Sequence, residues 1–271
     1  EQRERARAAS KFSIGDTAVY QELVERGLET EFTGYTSHRG EGNILALLSG
    51  GSEVGQAASG ARVELVIDSS PFYPEGGGQV GDIGLIECSD GTKIRIEDVQ
   101  KPFGDLIVHL GRVEEGTLNG PQKVILEVDD AARTGTRRNH SATHLLHHAL
   151  RAILGDHVRQ RGSLVAPDRL RFDFSHNEGM SEDEKARVED MVNGMVLANR
   201  EAKASILPMD DAMAAGAIAF FEEKYGDDVR MVQIGAESTE LCGGLHVEST
   251  GDIGLFKIIS EGAISSGVRR L

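Results

Sequence analysis

At 271 residues, 39% hydrophobic and 27% charged, the chain is long enough for two cored domains, and its net charge of −15 excludes a protein that coats DNA or RNA through bulk electrostatics. No apolar run approaches the ~18 residues of a membrane span, and residues 1–12 lack the apolar stretch of a secretory signal, so no membrane is expected. Two cysteines without a mark of secretion exclude a disulfide framework and place the chain in a reducing compartment, read as cytoplasmic, while the missing initiator Met reads as an excised piece of a longer chain.

In chain order, residues 1–12 read as the end of a preceding helical region, with charge on all sides and little to bury. From 13 to 132 the text is short alternating runs broken by glycine, with strands expected at 62–67, 93–97 and 124–128. Asp90-Gly91, Asn119-Gly120-Pro121 and the cluster Gly76, Gly77, Gly78 supply turns, so a small β-barrel or sandwich is the natural closure.

After Asp129 the period changes to helix, with Asn139 read as the N-cap and the end placed before Gly155. Ala142, Leu145, Leu146, Ala149, Leu150, Ile153 and Leu154 make one apolar stripe, and at 100° per residue His140, His144 and His147 lie on the opposite side, away from that core. A second helix is expected from Ser181, with Glu184 completing a capping box and Val188, Met191, Val192, Met195 and Val196 buried. A third helical stretch is read over 210–221, and strands over 229–234 and 253–259. Residues 133–271 thus form an α+β domain.

His140 and His144 stand at i and i+4, one turn apart on one face, where both imidazoles reach a single ion. Cys242-Gly243-Gly244-Leu245-His246 adds a thiolate and a third imidazole across a glycine turn; three nitrogens and a sulfur suit one zinc ion. His144 and His148 share the same spacing and His147 lies beside them, so spacing does not choose between the histidines. A metalloprotease is excluded, because Ser, not Glu, stands at position 141. Nine of the 29 basic residues, Arg133, Arg137, Arg138, Arg159, Arg161, Arg169, Arg171, Arg269 and Arg270, suggest a local basic rim, or ordinary surface charge paired with the many carboxylates.

HSATH followed about a hundred residues later by CGGLH resembles the HxxxH and CxxxH signature of alanyl-tRNA synthetase editing domains. The resemblance extends through RFDFSH at 171–176, STELCGG at 238–244, TGDIGLF at 250–256 and PFYPEGGGQVGD at 71–82, where the glycine run resembles a loop of the family's β-barrel. It selects His140, His144, Cys242 and His246 as ligands. The fold it implies is α+β: an N-terminal small β-barrel domain at 13–132 followed at 133–271 by an editing domain of the threonyl/alanyl-tRNA synthetase type. One departure stands out: Leu245 occupies the place where CGGTH has Thr, so a hydroxyl is missing beside the metal.

The function implied is hydrolysis of the ester of mischarged Ser-tRNA(Ala) and Gly-tRNA(Ala), within a parent that ligates alanine to tRNA(Ala) with ATP and magnesium held by an adenylation domain not seen in this sequence. A pocket for alanine discriminates weakly against smaller glycine and against serine, which adds only a hydroxyl, so a second hydrolytic site is needed. The resemblance assigns Thr143, Gln160 and Asp173 to the editing pocket; the plain alternative is a Thr bonded to its own helix backbone and a solvated loop Gln. Gly76, Gly77, Gly78 and Gln79, with Arg269 and Arg270, are read as contacts to phosphates of the tRNA(Ala) acceptor end, the alternative for the glycines being a tight barrel turn. The rival reading from another class is a non-catalytic tRNA-binding module with a structural zinc, which four filled ligand positions would suit.

Overall fold

A computed structural model describes residues 17–219 and 226–271, and the helix expected at 1–12 and the end of the stretch at 210–221 lie outside them. The chain divides into two compact units: one takes the described residues up to Glu75 and Gly81–Ala132, the other Gly76–Val80 and the described part of Arg133–Leu271.

The first unit is a closed six-stranded antiparallel barrel. Its strands are β1 (Arg39–Ser49), β2 (Arg62–Ile67), β3 (Gly84–Cys88), β4 (Lys93–Phe103), β5 (Leu106–Glu115) and β6 (Lys123–Val128). The order is β6-β3-β4-β5-β2-β1, and pairing of β6 with β1 closes the ring, which removes exposed sheet edges. Ile44, Leu47, Val63, Leu65, Ile86, Ile94, Ile96, Val124 and Leu126 fill the interior, each worth about 1.5–3 kcal/mol on full burial. A register shift between Ile44 and Ala46 re-phases β1, so Ala46 and Leu48 face outward with Val66, Leu106 and Val108. These outward residues are covered by helix α1 (Thr17–Glu25) through Tyr20 and Leu23. The reading of 13–132 as strands throughout missed α1, whose amphipathic two and a half turns sit on a barrel face that periodicity alone does not reveal as apolar.

In the second unit, α2 (Asp130–Leu154) begins nine residues before the expected cap at Asn139. Asp129 does the capping: its carboxylate accepts from the Ala132 N–H at 2.9 Å, while Asn139 lies within the helix and donates to the Ala166 carbonyl at 2.7 Å. β7 (Gln160–Val165) and β8 (Leu170–Ser175) form a hairpin, and α3 (Glu182–Leu197) starts from Ser181 with both capping-box bonds present. β9 (Ala202–Pro208) leads to α4 (Met209–Ala214), and β10 (Asp228–Ile234) and β11 (Ser238–Leu241) complete an antiparallel meander with β9. β12 (Gly262–Ser265) and β13 (Val268–Arg270) extend the hairpin into a sheet ordered β7-β8-β13-β12. The core joins Leu145, Leu146, Ala149 and Leu150 of α2 to Phe172, Phe174, Val188, Val192, Val232 and Ile234. Among the described residues no helix is long and apolar enough to cross a membrane.

Two expected elements differ. The helix at 210–221 closes at Ala214, because Gly216 adopts a left-handed φ of 85° and the Ala217 amide turns back to the Ala212 carbonyl. Residues 253–259 are not a strand: Thr250–Ile253 is a 3₁₀ turn, and the Phe256 and Ile258 amides donate to the side chains of Asn193 and Glu189 on α3. Helix side chains satisfy the backbone there in place of a neighbouring strand.

Candidate metal centre

His140 and His144 project from one face of α2; Cys242 follows directly on β11, and His246 lies beyond the glycine turn. One ligating atom from each of the four lies within 4.8 Å of the others, with Cys242 Sγ 3.4 Å from Nε2 of both His140 and His246. The His140 and His144 rings stack at 16° with centroids 5.3 Å apart, and His246 closes the third side at 4.4 Å from His140. The helix face opposite the apolar stripe is therefore buried as well: His140, His144 and His147 are 5%, 4% and 2% exposed.

Each histidine is turned by the partner of its other nitrogen. Leu245 N–H donates to Gln79 Oε1 at 2.9 Å, which identifies that atom as the carboxamide oxygen. His140 Nδ1 meets the same oxygen at 2.7 Å and so carries the proton, leaving the Nε2 lone pair for a metal. His144 Nδ1 likewise donates to the Glu240 carboxylate, and its Nε2 is buried without a hydrogen bond among the described residues. His246 Nδ1 lies 3.3 Å from Ser141 Oγ. The donor chemistry and the orphaned His144 nitrogen fit a soft, tetrahedrally bound divalent cation.

The electrostatics favour the same occupant at Cys242 and His246, whereas at His144 burial is outweighed by Glu240 and then Cys242, which raise the ring to about 10, so an ion has to displace a proton there. Burial opposes a thiolate at Cys242, yet His140 and His246 outweigh it and hold the thiol well below its ordinary pKa. Burial, then the neighbouring His140, pushes His246 down to about 3, the neutral form a ligand needs. At Glu240 burial disfavours the charge, but His144 and His147 prevail and keep it a carboxylate. The turn itself requires glycine at one place: a Cβ on Gly244 would lie 2.0 Å from His140 Cε1, whereas one on Gly243 would meet nothing within 4 Å.

The other expected site residues are distributed as follows. Thr143 is buried and its hydroxyl donates to the Asn139 carbonyl at 2.8 Å. Gln160 opens β7, its Nε2 donating to Ser163 Oγ at 3.3 Å. Asp173, 2% exposed, takes a bidentate pair of bonds from Arg270 at 2.6 and 2.9 Å, and Arg269 pairs with Glu261 at 2.5 Å. Gly76, Gly77 and Gly78 form a turn closed by paired bonds between the Gly76 and Gln79 backbones, and Gln79 itself is fully buried against the metal centre. Leu245 is buried too, 4% exposed.

Sequence reasoning assigned no role to Glu240, Ser141 or Arg230. Arg230 Nη1 donates to the Cys242 and Gly244 carbonyls at 2.8 and 2.9 Å, fixing the turn between Cys242 and His246. One signal for Glu240 was present: in an extended strand, positions 240 and 242 share a face. Nothing in the sequence pointed to Ser141 or Arg230.

A family model described as tRNA synthetases class II (A) matches residues 1–132, and one described as Threonyl and Alanyl tRNA synthetase second additional domain matches residues 229–271. The chain is 50% identical over 275 residues to an alanine–tRNA ligase of Magnetococcus marinus, across 100% of this chain and 31% of that protein. An alanine–tRNA ligase of Nitrobacter winogradskyi is 48% identical over 286 residues, across 100% of this chain and 32% of its own length. One from Sorangium cellulosum is 50% identical over 252 residues, covering 89% of this chain and 27% of the relative. The chain thus spans about a third of the length of the relatives it matches.

Proposed function

Because the chain belongs to the alanyl-tRNA synthetase family, we propose that it is an editing segment, which hydrolyses the ester of Ser-tRNA(Ala) and Gly-tRNA(Ala) at the centre formed by His140, His144, Cys242 and His246. The observation that carries this reading is the convergence of those four side chains, with His140 and His144 each turned to offer Nε2. The domain division proposed with it is a barrel domain to residue 132 and a metal-binding domain from 133.

The ion proposed is zinc, held by three neutral imidazoles and the Cys242 thiolate. When bound it supplies a Lewis acid beside the ester. The chain's own residues supply selection. The Thr143 hydroxyl hydrogen is committed to the Asn139 carbonyl, so its oxygen is left as an acceptor one turn from His140 and beside His144. Serine's hydroxyl can donate to that oxygen; alanine's methyl cannot, and burying the methyl there leaves the oxygen unpaired. Gln160 holds Ser163 by a stretched 3.3 Å bond that a substrate hydroxyl can replace. The tRNA(Ala) acceptor end is the proposed partner. Arg269 and Arg270, each bonded to a carboxylate, serve it by shaping the sheet beside Asp173 unless those pairs open.

Deacylation of tRNA(Ala) charged with serine, glycine or alanine tests this directly. Serine should be released well ahead of alanine, and equal rates for the two would remove the editing assignment. The burial of the three histidines, beside a partly buried Cys242, favours a second reading, a tRNA-binding module with a structural ion. In that case the assay finds tRNA binding without hydrolysis of any ester.

A further inference from the structure

The glycine-rich turn at 76–78 carries a residue whose position in the metal centre the expected phosphate contact does not explain. Gln79 is 0% exposed, so it offers nothing to a phosphate at the surface. Backbone on both sides of it is pinned to β7: the Val80 N–H donates to the Val165 carbonyl at 3.0 Å, and the Val165 N–H to the Gly78 carbonyl at 2.8 Å. Gly78 makes this approach possible, since it holds a φ of 88° and an added Cβ would sit 2.2 Å from Ser163 Oγ. The turn therefore delivers one carboxamide into the interior.

We propose that Gln79 is a positioning residue of the metal centre. Its single oxygen accepts both from His140 Nδ1 at 2.7 Å and from the Leu245 amide at 2.9 Å. The first bond decides which nitrogen of His140 faces the ion. The second joins the helix that carries His140 and His144 to the turn that carries Cys242 and His246, and so sets the spacing between the two ligand pairs. Partners of this kind orient metal-ligating histidines and raise their basicity, and their loss commonly lowers metal affinity 10- to 100-fold. The glycines then serve the metal through Gln79, not the tRNA through their amides. This inference rests on the ligand set proposed above, not on the ester hydrolysis.

The experiment compares zinc affinity, by competition with a chromophoric chelator, for the chain and for Gln79→Met and Gln79→Glu. Met fills the space without an acceptor, and Glu keeps an acceptor oxygen for both donors. We expect Gln79→Met to bind zinc about 10- to 100-fold more weakly and Gln79→Glu to bind within a few-fold of the parent. The cobalt(II)-substituted Met variant should show altered visible d–d bands, a signature that loss of packing elsewhere would not move. Should Gln79→Met fail to fold, Gln79→Asn, which withdraws the oxygen by one methylene, makes the same comparison. Parental zinc affinity in the Met or Asn variant overturns the proposal, as does equal weakening in the Met and Glu variants. Unchanged zinc affinity with weaker, less salt-dependent tRNA binding would return the turn to phosphate contact. A parent that binds zinc but releases no serine refutes the editing reading alone and leaves this one standing; a parent that binds no zinc removes both.

Discussion

Glu240 faces His144 from the strand that ends one residue before Cys242, and both side chains are buried, at 2% and 4% exposure. The same carboxylate reaches His147 Nδ1 with its other oxygen at 3.1 Å. A histidine of the proposed ligand set is thus tied to a charged partner outside that set. Glu240→Gln keeps the shape and removes the charge, and should lower zinc affinity by roughly one to two powers of ten without unfolding the chain. Chelator competition checks this, and an unchanged affinity would show that His144 needs no such partner.

The two glycines of the turn should behave differently. Gly244→Ala drives a methyl group to within 2.0 Å of the His140 ring and should strip most of the zinc, whereas Gly243→Ala, with open space around it, should keep the parental content. Elemental analysis of the purified variants decides it. Equal zinc in both would mean that the turn shifts freely.

The two cysteines separate a proposed ligand from a core residue. Cys242→Ala should lower zinc content and serine release together. Cys88→Ala should leave both intact and cost on the order of 1 kcal/mol, because Cys88 is packed in the barrel with its thiol pushed by burial to about 11. In zinc-stripped protein at neutral pH, iodoacetamide should modify Cys242 and spare Cys88.

The barrel carries an acid-sensitive histidine. His109 Nδ1–H donates to the Leu65 carbonyl at 3.1 Å, and in the neutral ring Nε2 accepts from the Ser70 hydroxyl at 2.7 Å; burial lowers its pKa to about 4. Above pH ~6.5 folded and unfolded chains both hold it neutral. As pH falls from there toward about 4, only the unfolded chain takes up the proton, and roughly 3 kcal/mol of stability should be lost across that window. His109→Phe should be less stable at pH 7 by about 1–3 kcal/mol yet lose less on acidification. Urea melts at pH 7 and pH 4.5 test it, and parallel losses in parent and variant would refute the assignment.

The strands at 62–67, 93–97 and 124–128 were legible because a barrel wall alternates in and out with a period the eye can follow, and α3 because Ser181 and Glu184 announce its start. Residues 253–259 misled because they are rich in isoleucine and phenylalanine like a strand, but Asn193 and Glu189 take the Phe256 and Ile258 amides, and those side chains lie more than 60 positions away. The four converging side chains followed from two short spacings and a resemblance. The residues that orient them did not, because Gln79 reaches His140 across 61 positions and Leu245 across 166, and no local pattern encodes such a meeting.

The two ligand pairs also have a topological consequence. His140 and Cys242 are 102 positions apart, and both β-hairpin strands, α3 and the whole meander lie between them. An ion held by both pairs is therefore a cross-link closing a loop of about a hundred residues, which by the chain-entropy relation for disulfides would correspond to as much as ~4–5 kcal/mol. Its grip on the fold would be global, unlike the local clip of a short finger: chelation should lower the melting temperature of the entire second unit in one transition.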